Sequence, residues 1–410
     1  MVSGLDPASQ RGAPPPSRSL RRARLWGVDG LRDVHLSGGV VTRVDLPGEQ
    51  ATEGPDDAAL HGRVVLPGLV DAHVHLDKAY VLAALEQRGA SLAGISSAIA
   101  ATKALRAELG PGMIRPGMER LLGDMARDGT VAARAHVEVD VDSDPAVVGL
   151  HREVLAEHPD LRVQLVAFPQ NGTSHDRHAS AWMERALDDG CTVVGGCPYA
   201  DADPLAHLDL VFNLAADRGL PLDLHLDLTD DADAAQVDLV LPLVERFGLE
   251  GRTTVGHMTA LSGFSPERLR RTVDQLRDLA VSVVVLPTTD LWLSGRTPGR
   301  PGVRGVAPVR SLVDAGVAVA LASNNHQNAF TPVSGGGLLR VAWLASLVCH
   351  IGDAQGYSDL LSAVTRTPAA MLGLGAWDVA PGSAAPLLAV DVEDPLDAVR
   401  QAPAVLERLS

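Results

Sequence analysis

Histidines near strand ends are the residues of this chain best suited to chemistry. In LVDAHVH (69–75), His73 and His75 stand two positions apart. That spacing puts both imidazoles on one face of a strand. A lone buried histidine is ordinarily a hydrogen-bonded core residue, but two on one face followed by Asp77 form the pattern of a metal pair. PLDLHL (221–226) carries His225, with Asp223 and Asp227 on the same face. TTVGH (253–257) ends in His257, and VAARAHVEV (131–139) carries His136 and Glu138. Packing alone gives core histidines no reason to gather at the same end of four strands. Nitrogen donors suit one divalent metal, zinc or iron(II), with a free position for water. RVQLVAF (162–168) runs into Gln170, whose amide offers an acceptor and two donors to a planar amide or amidine. TVVGGC (192–197) ends in Cys197. Neither of these two strands holds a lysine, so a carboxylated lysine bridging two metals is excluded. VAVALAS (317–323) meets Asn324, Asn325 and His326. Gln170, Asn324 and His136 are the candidate substrate contacts.

These ends need a frame that brings them to one place. VSVVVLP (281–287) completes a set of eight apolar runs. Helical patterns separate them at 91–109, 144–158, 178–190, 203–219, 233–248, 265–280 and 307–316. Ser265-Pro266-Glu267 is a well-formed helix start: a cap, a proline in the first turn and an early acid. Eight strand–helix alternations predict an α/β fold, a (β/α)8 TIM barrel, whose functional residues lie at the C-terminal strand ends. A doubly wound sheet would want a glycine-rich phosphate turn after its first strand, and HVHLDK stands there instead. LRDVHLSGGVVTRVDL reads as a hairpin turning at Gly38-Gly39. The expected organisation is a flexible tail (1–17), a small β domain begun by 18–66, the barrel over 67–378, and the small domain completed by 379–410.

Composition narrows the function. The formal charge is −16 and lysine is confined to Lys78 and Lys103, which argues against a general nucleic-acid binder. Three cysteines make no disulfide framework, so a reducing cytoplasm is the expected location. The N-terminal segment has no apolar core of a signal peptide, and no run suits a membrane span. The segment TPGRPGVRG (297–305) offers Arg300 and Arg304 to an acidic substituent, or is simply a solvated loop.

The segment LPGLVDAHVHLDKAY (66–80) is similar to the signature of the amidohydrolase superfamily. FPQNG (168–172), LHLD (224–227), GHMTA (256–260), LPTTDLWLSGR (286–296) and LASNN (321–325) resemble its cytosine deaminase branch in order and spacing. The resemblance spans about residues 20 to 395. It implies that His73, His75 and His225 ligate the metal and that His257 sits at the metal's edge. Gln170 would read a small heterocyclic substrate. It also implies a β-sandwich companion domain and, often, a homo-oligomer.

Two positions depart from that branch. The third residue after the strand-five histidine is a proton-shuttling glutamate in the branch and Leu228 here. The eighth strand ends in a metal-binding aspartate there and in Asn324 here. Leucine carries no proton, and an amide has no useful pKa as a base. General acid–base help is worth ~10²–10⁴ in rate, so other groups must supply it: His257, Asp227, His326 and Asp290 are the candidates, with Asp230 and Glu138 behind them. The leading expectation is a metal-dependent hydrolase acting on a C–N bond of a small cyclic amide or amidine, with non-standard proton transfer. The alternatives are a non-hydrolytic enzyme of a specialised pathway that uses the metal as a Lewis acid, and a non-catalytic small-molecule binder.

Overall fold

The computed structural model describes residues 17–48, 58–91, 94–108, 114–139, 146–296, 305–334 and 336–409. The expected tail and the Arg300/Arg304 segment lie outside them, except for their last residues. A seven-stranded mixed sheet gathers both chain ends. Its members are β1 (Ser17–Leu25), β2 (Val28–Ser37), β3 (Val40–Asp45), β4 (Ala58–Ala59), β5 (Val64–Pro67), β14 (Leu387–Val390) and β15 (Val405–Arg408). β2 and β3 are the hairpin expected at Gly38-Gly39. β5 pairs antiparallel with β14, which joins the two ends, and Leu20, Val34, Val65 and Leu387 form a small core of their own.

Eight parallel strands follow in chain order: β6 (Leu69–Val74), β7 (Thr130–Glu138), β8 (Arg162–Phe168), β9 (Val193–Gly196), β10 (Leu222–Leu226), β11 (Thr253–His257), β12 (Ser282–Val285) and β13 (Val319–Leu321). The last closes on the first through Asn324. Its N–H donates to the His73 carbonyl at 2.9 Å, and its own carbonyl accepts from the His75 N–H at 2.9 Å. The architecture is the expected (β/α)8 barrel with a small β domain. Runs such as TVAARAHVE are buried throughout because helices cover the outside and side chains fill the inside.

One connection differs from the sequence expectation. A single helix over 91–109 was expected between the first two barrel strands. Among the described residues three are present: α1 (Leu82–Gln87), α2 (Ile95–Glu108) and α3 (Arg115–Arg127). Only α3 acts as the barrel helix, burying Met118, Leu121, Leu122 and Met125 in the main core. Leu85 of α1 and Ala98 and Leu105 of α2 instead join Leu228, Leu293 and Phe330 in a separate apolar cluster. α1 and α2 thus cap residues that line the barrel mouth. The apolar face of α2 matches helical periodicity equally well in either role, so the pattern alone did not assign it.

Candidate active site

Four histidines converge at the C-terminal end of the barrel. Nε2 of His225 lies 3.1 Å from Nε2 of His73 and 3.2 Å from Nε2 of His75. Two nitrogens bound to one tetrahedral metal at ~2.0–2.1 Å stand ~3.3–3.4 Å apart. Burial, with neighbouring cationic groups adding to it, lowers the pKa of all three imidazoles well below the ordinary value. They are therefore neutral, the form that ligates. Their Nδ1 atoms are buried and without hydrogen-bond partners. Nitrogens crowded this closely with so few partners fit a cation better than a hydrogen-bonded core. Among the described residues, the His73, His225 and His257 ligand atoms all lie within 4.8 Å of one another, as do those of His73, His136 and Asp223. His75 joins through His225. Gly256 makes room for this packing, since a Cβ there would approach His73 Nδ1 at 3.3 Å.

His257 is held from behind. Its Nδ1 lies 2.6 Å from Oδ1 of Asp290, whose Oδ2 accepts the Leu286 N–H at 3.1 Å. A carboxylate only accepts, so Nδ1 carries the proton and Nε2 faces the site as an acceptor. Burial raises the Asp290 pKa, against the pull of His257 and the Leu286 N–H. The backbone is strained here. His257, Met258, Asp227, Asn324 and Gln327 all have positive φ. Asparagine and aspartate tolerate that conformation better than most residues, which suits Asn324 at 61°.

His75, His225 and His257 wall a small chamber of about 10 Å³, enough for one water-sized body. Gln170, Asn324, Asn325, Thr289, Tyr199 and Lys78 supply its other polar walls, and Leu228, Leu293 and Phe330 its apolar ones. No carboxylate lines it among the described residues. Lys78 Nζ donates to Gln170 Oε1 at 2.8 Å and lies 4.7 Å from the centre of the Phe330 ring. Burial lowers its pKa, opposed by Glu138 and Asp77. Glu138, 3.8 Å from Nζ, is held at 2.7 Å by Arg106, which also reaches Asp77 at 3.2 Å. The Asn324 amide oxygen accepts from Asn325 Nδ2 at 2.8 Å, and Asn325 accepts from Asn328 at 2.7 Å.

The structure thus brings together His73, His75, His225, His257, Gln170 and Asn324. It places four other sequence candidates elsewhere. Asp227 turns its carboxylate away to accept the Gln236 and Val237 N–H groups, capping the start of the helix Val237–Arg246. His326 bonds Ser334 at 3.0 Å and lines a different cavity, with Asp71 and Asp124. His136 stacks on His73 with centroids 3.9 Å apart and bonds Asp223 at 3.3 Å, beneath the chamber. Asp290 stands behind His257. Conversely, strand-end reasoning missed Lys78 as a wall of the site. Its signal was present: it is one of two lysines in the chain and stands three residues after His75.

Barrel and histidine cluster together define a class, and comparison gives it a name. The model of the amidohydrolase family matches residues 170–406, more than half of the chain, so the chain belongs to that family. A pterin deaminase from Rhizobium rhizogenes is 28% identical over 363 residues, 88% of this chain and 79% of that protein. An N-isopropylammelide isopropyl amidohydrolase from Pseudomonas sp. is 25% identical over 87% of this chain and 86% of its own. A 5-methylcytosine deaminase from Klebsiella pneumoniae, solved with phosphonocytosine, superposes with a TM-score of 0.89 at 26% identity, covering 95% of this chain and 96% of that one. No helix among the described residues is long and apolar enough to cross a membrane.

Proposed function

We propose that this protein is a metal-dependent hydrolase that cleaves a C–N bond of a small heterocyclic amide or amidine. The observation that carries this reading is the convergence of His73, His75 and His225 on one point at the barrel mouth, with His257 fixed beside them. The names of the relatives above, which act on small nitrogen heterocycles, support the same reading. One divalent metal, zinc or iron(II), held by the three histidines would supply the Lewis-acid charge that makes water nucleophilic near neutral pH. The rest falls to the chain. Gln170 has its oxygen committed to Lys78, so it presents its amide donors to a ring acceptor. Lys78 adds a second donor from the same wall. His257 Nε2 accepts the proton that water gives up, and Asp290 stabilises the resulting imidazolium. The proton then returns to the departing amine nitrogen as the C–N bond breaks. His257 thus takes the part for which Leu228 and Asn324 are unfitted.

A second reading is favoured by the absence of any carboxylate from the described chamber lining: a binder, or a non-hydrolytic enzyme, on the same scaffold. One experiment separates them. The purified protein is loaded with zinc or iron(II), its metal content is measured, and a panel of aminated heterocycles is followed for amine release. About one metal per chain with turnover of any member supports the hydrolase. Metal binding with ligand binding but no turnover supports the second reading, and absence of metal sinks the first.

A further inference from the structure

Three buried asparagines form a chain of amides that ends at the chamber. The orientation of an asparagine amide follows from its partners, and here the far end fixes it. The backbone N–H groups of Phe330 and Thr331 meet one atom of the Asn328 amide at 2.9 and 3.1 Å. A backbone N–H only donates, so that atom is the oxygen. Asn328 Nδ2 therefore donates to Asn325 Oδ1 at 2.7 Å, and Asn325 Nδ2 donates to Asn324 Oδ1 at 2.8 Å. The NH2 group of Asn324 is left over. It bonds nothing among the described residues, and Asn324 lines the chamber. The Asn324 main chain is pinned between the His73 carbonyl and the His75 N–H, each at 2.9 Å, so this donor keeps a fixed register with the histidines. His257 is its counterpart, since its Nε2 faces the same chamber as an acceptor.

We propose that Asn324 is a catalytic residue whose NH2 group donates to the attacking oxygen, and that Asn325 and Asn328 are positioning residues that fix this polarity. This rests on the hydrolase reading above and deepens it. A water in the chamber accepts from Asn324 and donates to His257, which fixes its orientation. Its proton passes to His257 Nε2, the electron pair freed by that loss forms the C–O bond, and the carbon's π pair moves onto the adjacent ring nitrogen. When the C–N bond breaks, its pair leaves on the amine with the His257 proton, and the ring nitrogen's pair restores the π bond. Negative charge gathers on the oxygen as its proton departs, and a preorganised donor at such a point is worth ~10²–10³ in rate. A carboxylate at position 324 would only accept, so the asparagine is here the fitter residue.

Neutron diffraction from crystals of the native protein reads the relay directly. Deuterium on the chamber-facing amide atom of Asn324 is expected, and an oxygen there would overturn the inference. Kinetics of two variants test the role, on whichever heterocycle the metal-loaded native protein turns over. Asn324→Asp keeps the shape and the bond from Asn325 but replaces the donor by an acceptor, so kcat should fall about a hundredfold with KM within roughly threefold. Asn328→Asp acts from outside the chamber lining. The new carboxylate still accepts from Phe330 and Thr331, but its second oxygen faces Asn325, which must turn its NH2 group toward it. Asn324 then turns as well and presents its oxygen to the chamber. At native metal content kcat should fall about tenfold or more, and the deuterium should leave the chamber-facing atom. A merely structural role for Asn328 would lower thermal stability without moving that atom. A kcat within about threefold of native in either folded variant, or a gain in Asn324→Asp, would overturn the inference and leave the hydrolase reading standing. Failure of the metal-loaded native protein to release amine from any heterocycle would overturn that reading and the catalytic role with it. Should Asn328→Asp not fold, the native neutron map and Asn324→Asp still decide.

Discussion

Replacing Asp290 by asparagine tests the proton route most directly. The side chain keeps its shape, and its amide oxygen can still accept the Leu286 N–H that Oδ2 now accepts at 3.1 Å. Its NH2 group then faces His257 Nδ1, 2.6 Å from Oδ1 in the native protein. A donor there forces Nδ1 to accept, so the imidazole proton moves to Nε2. His257 then points a donor at the chamber and can no longer take a proton from water. General acid–base help is worth ~10²–10⁴ in rate, and at 1.36 kcal/mol per decade this is about 2.7–5.4 kcal/mol of transition-state stabilisation. Stability should change far less. The charge-assisted bond loses roughly 1–2 kcal/mol, while burying a neutral amide avoids the desolvation that raises the Asp290 pKa. The assay is kcat/KM on whichever heterocycle the native protein turns over, with metal content and the ring ¹⁵N shifts of His257 measured alongside. A variant with native metal content that keeps kcat/KM within threefold, or retains the Nδ1 proton, refutes the reasoning.

Three further outcomes are expected. His225→Ala removes the imidazole that links His73 and His75, so metal content should fall from about one per chain to under about a tenth. The thermal stabilisation that metal confers on the native protein, about 4 kcal/mol at a thousandfold excess over Kd, should vanish with it. Leu228→Glu restores an acid at the third position after His225 but buries it in an apolar cluster. Unfolding titrations should show a loss of roughly 2–4 kcal/mol with no more than a tenfold gain in turnover, and a hundredfold gain would show that the site lacks only that acid. Burial would raise the Asp201 carboxyl, but hydrogen bonds from His207, Ser174, Thr173 and Asp203 outweigh it and hold the group well below the usual carboxylate range. Its contribution is present above about pH 4 and lost as pH falls, so Asp201→Asn should be less stable than native near pH 7 and show a flatter decline below about pH 4 in denaturant unfolding.

Periodicity made the barrel legible, because strand burial and helix amphipathicity repeat eight times. The histidine set was legible because strand register places His73, His75, His225 and His257 without knowledge of the loops. The groups behind them were not. Asp227 shares the strand face of His225, yet its φ of 54° and the free N–H groups at the start of the helix Val237–Arg246 turn it outward. His326 lies beyond Asn324, where the chain has already left the strand, so alternation no longer governs its direction. Lys78 reaches the chamber from a loop for the same reason. The double role of the 82–127 connection, two helices over the mouth and one on the barrel, depends on tertiary packing that a helical pattern does not encode.

The acids of this site have moved outward by one side chain. Asp290 stands behind His257, Asp223 behind His136, and Asp71 behind the β6–β13 seam, where it accepts the His73 and Ser323 N–H groups and the Ser323 hydroxyl. The chamber therefore presents imidazoles, amides and the Lys78 amine to whatever it binds, with the carboxylates one side chain farther away. A divalent cation so surrounded keeps more of its charge than one with a carboxylate ligand, and water beside it becomes the more acidic. A weaker base suffices for a more acidic water. His257, whose Nδ1 proton is fixed by Asp290, is placed to serve as that base while its charge is balanced from behind. On the hydrolase reading proposed above, with Leu228 and Asn324 standing where acids would, this relay carries the proton, and that is why the Asp290→Asn variant weighs more heavily than restoring either lost carboxylate.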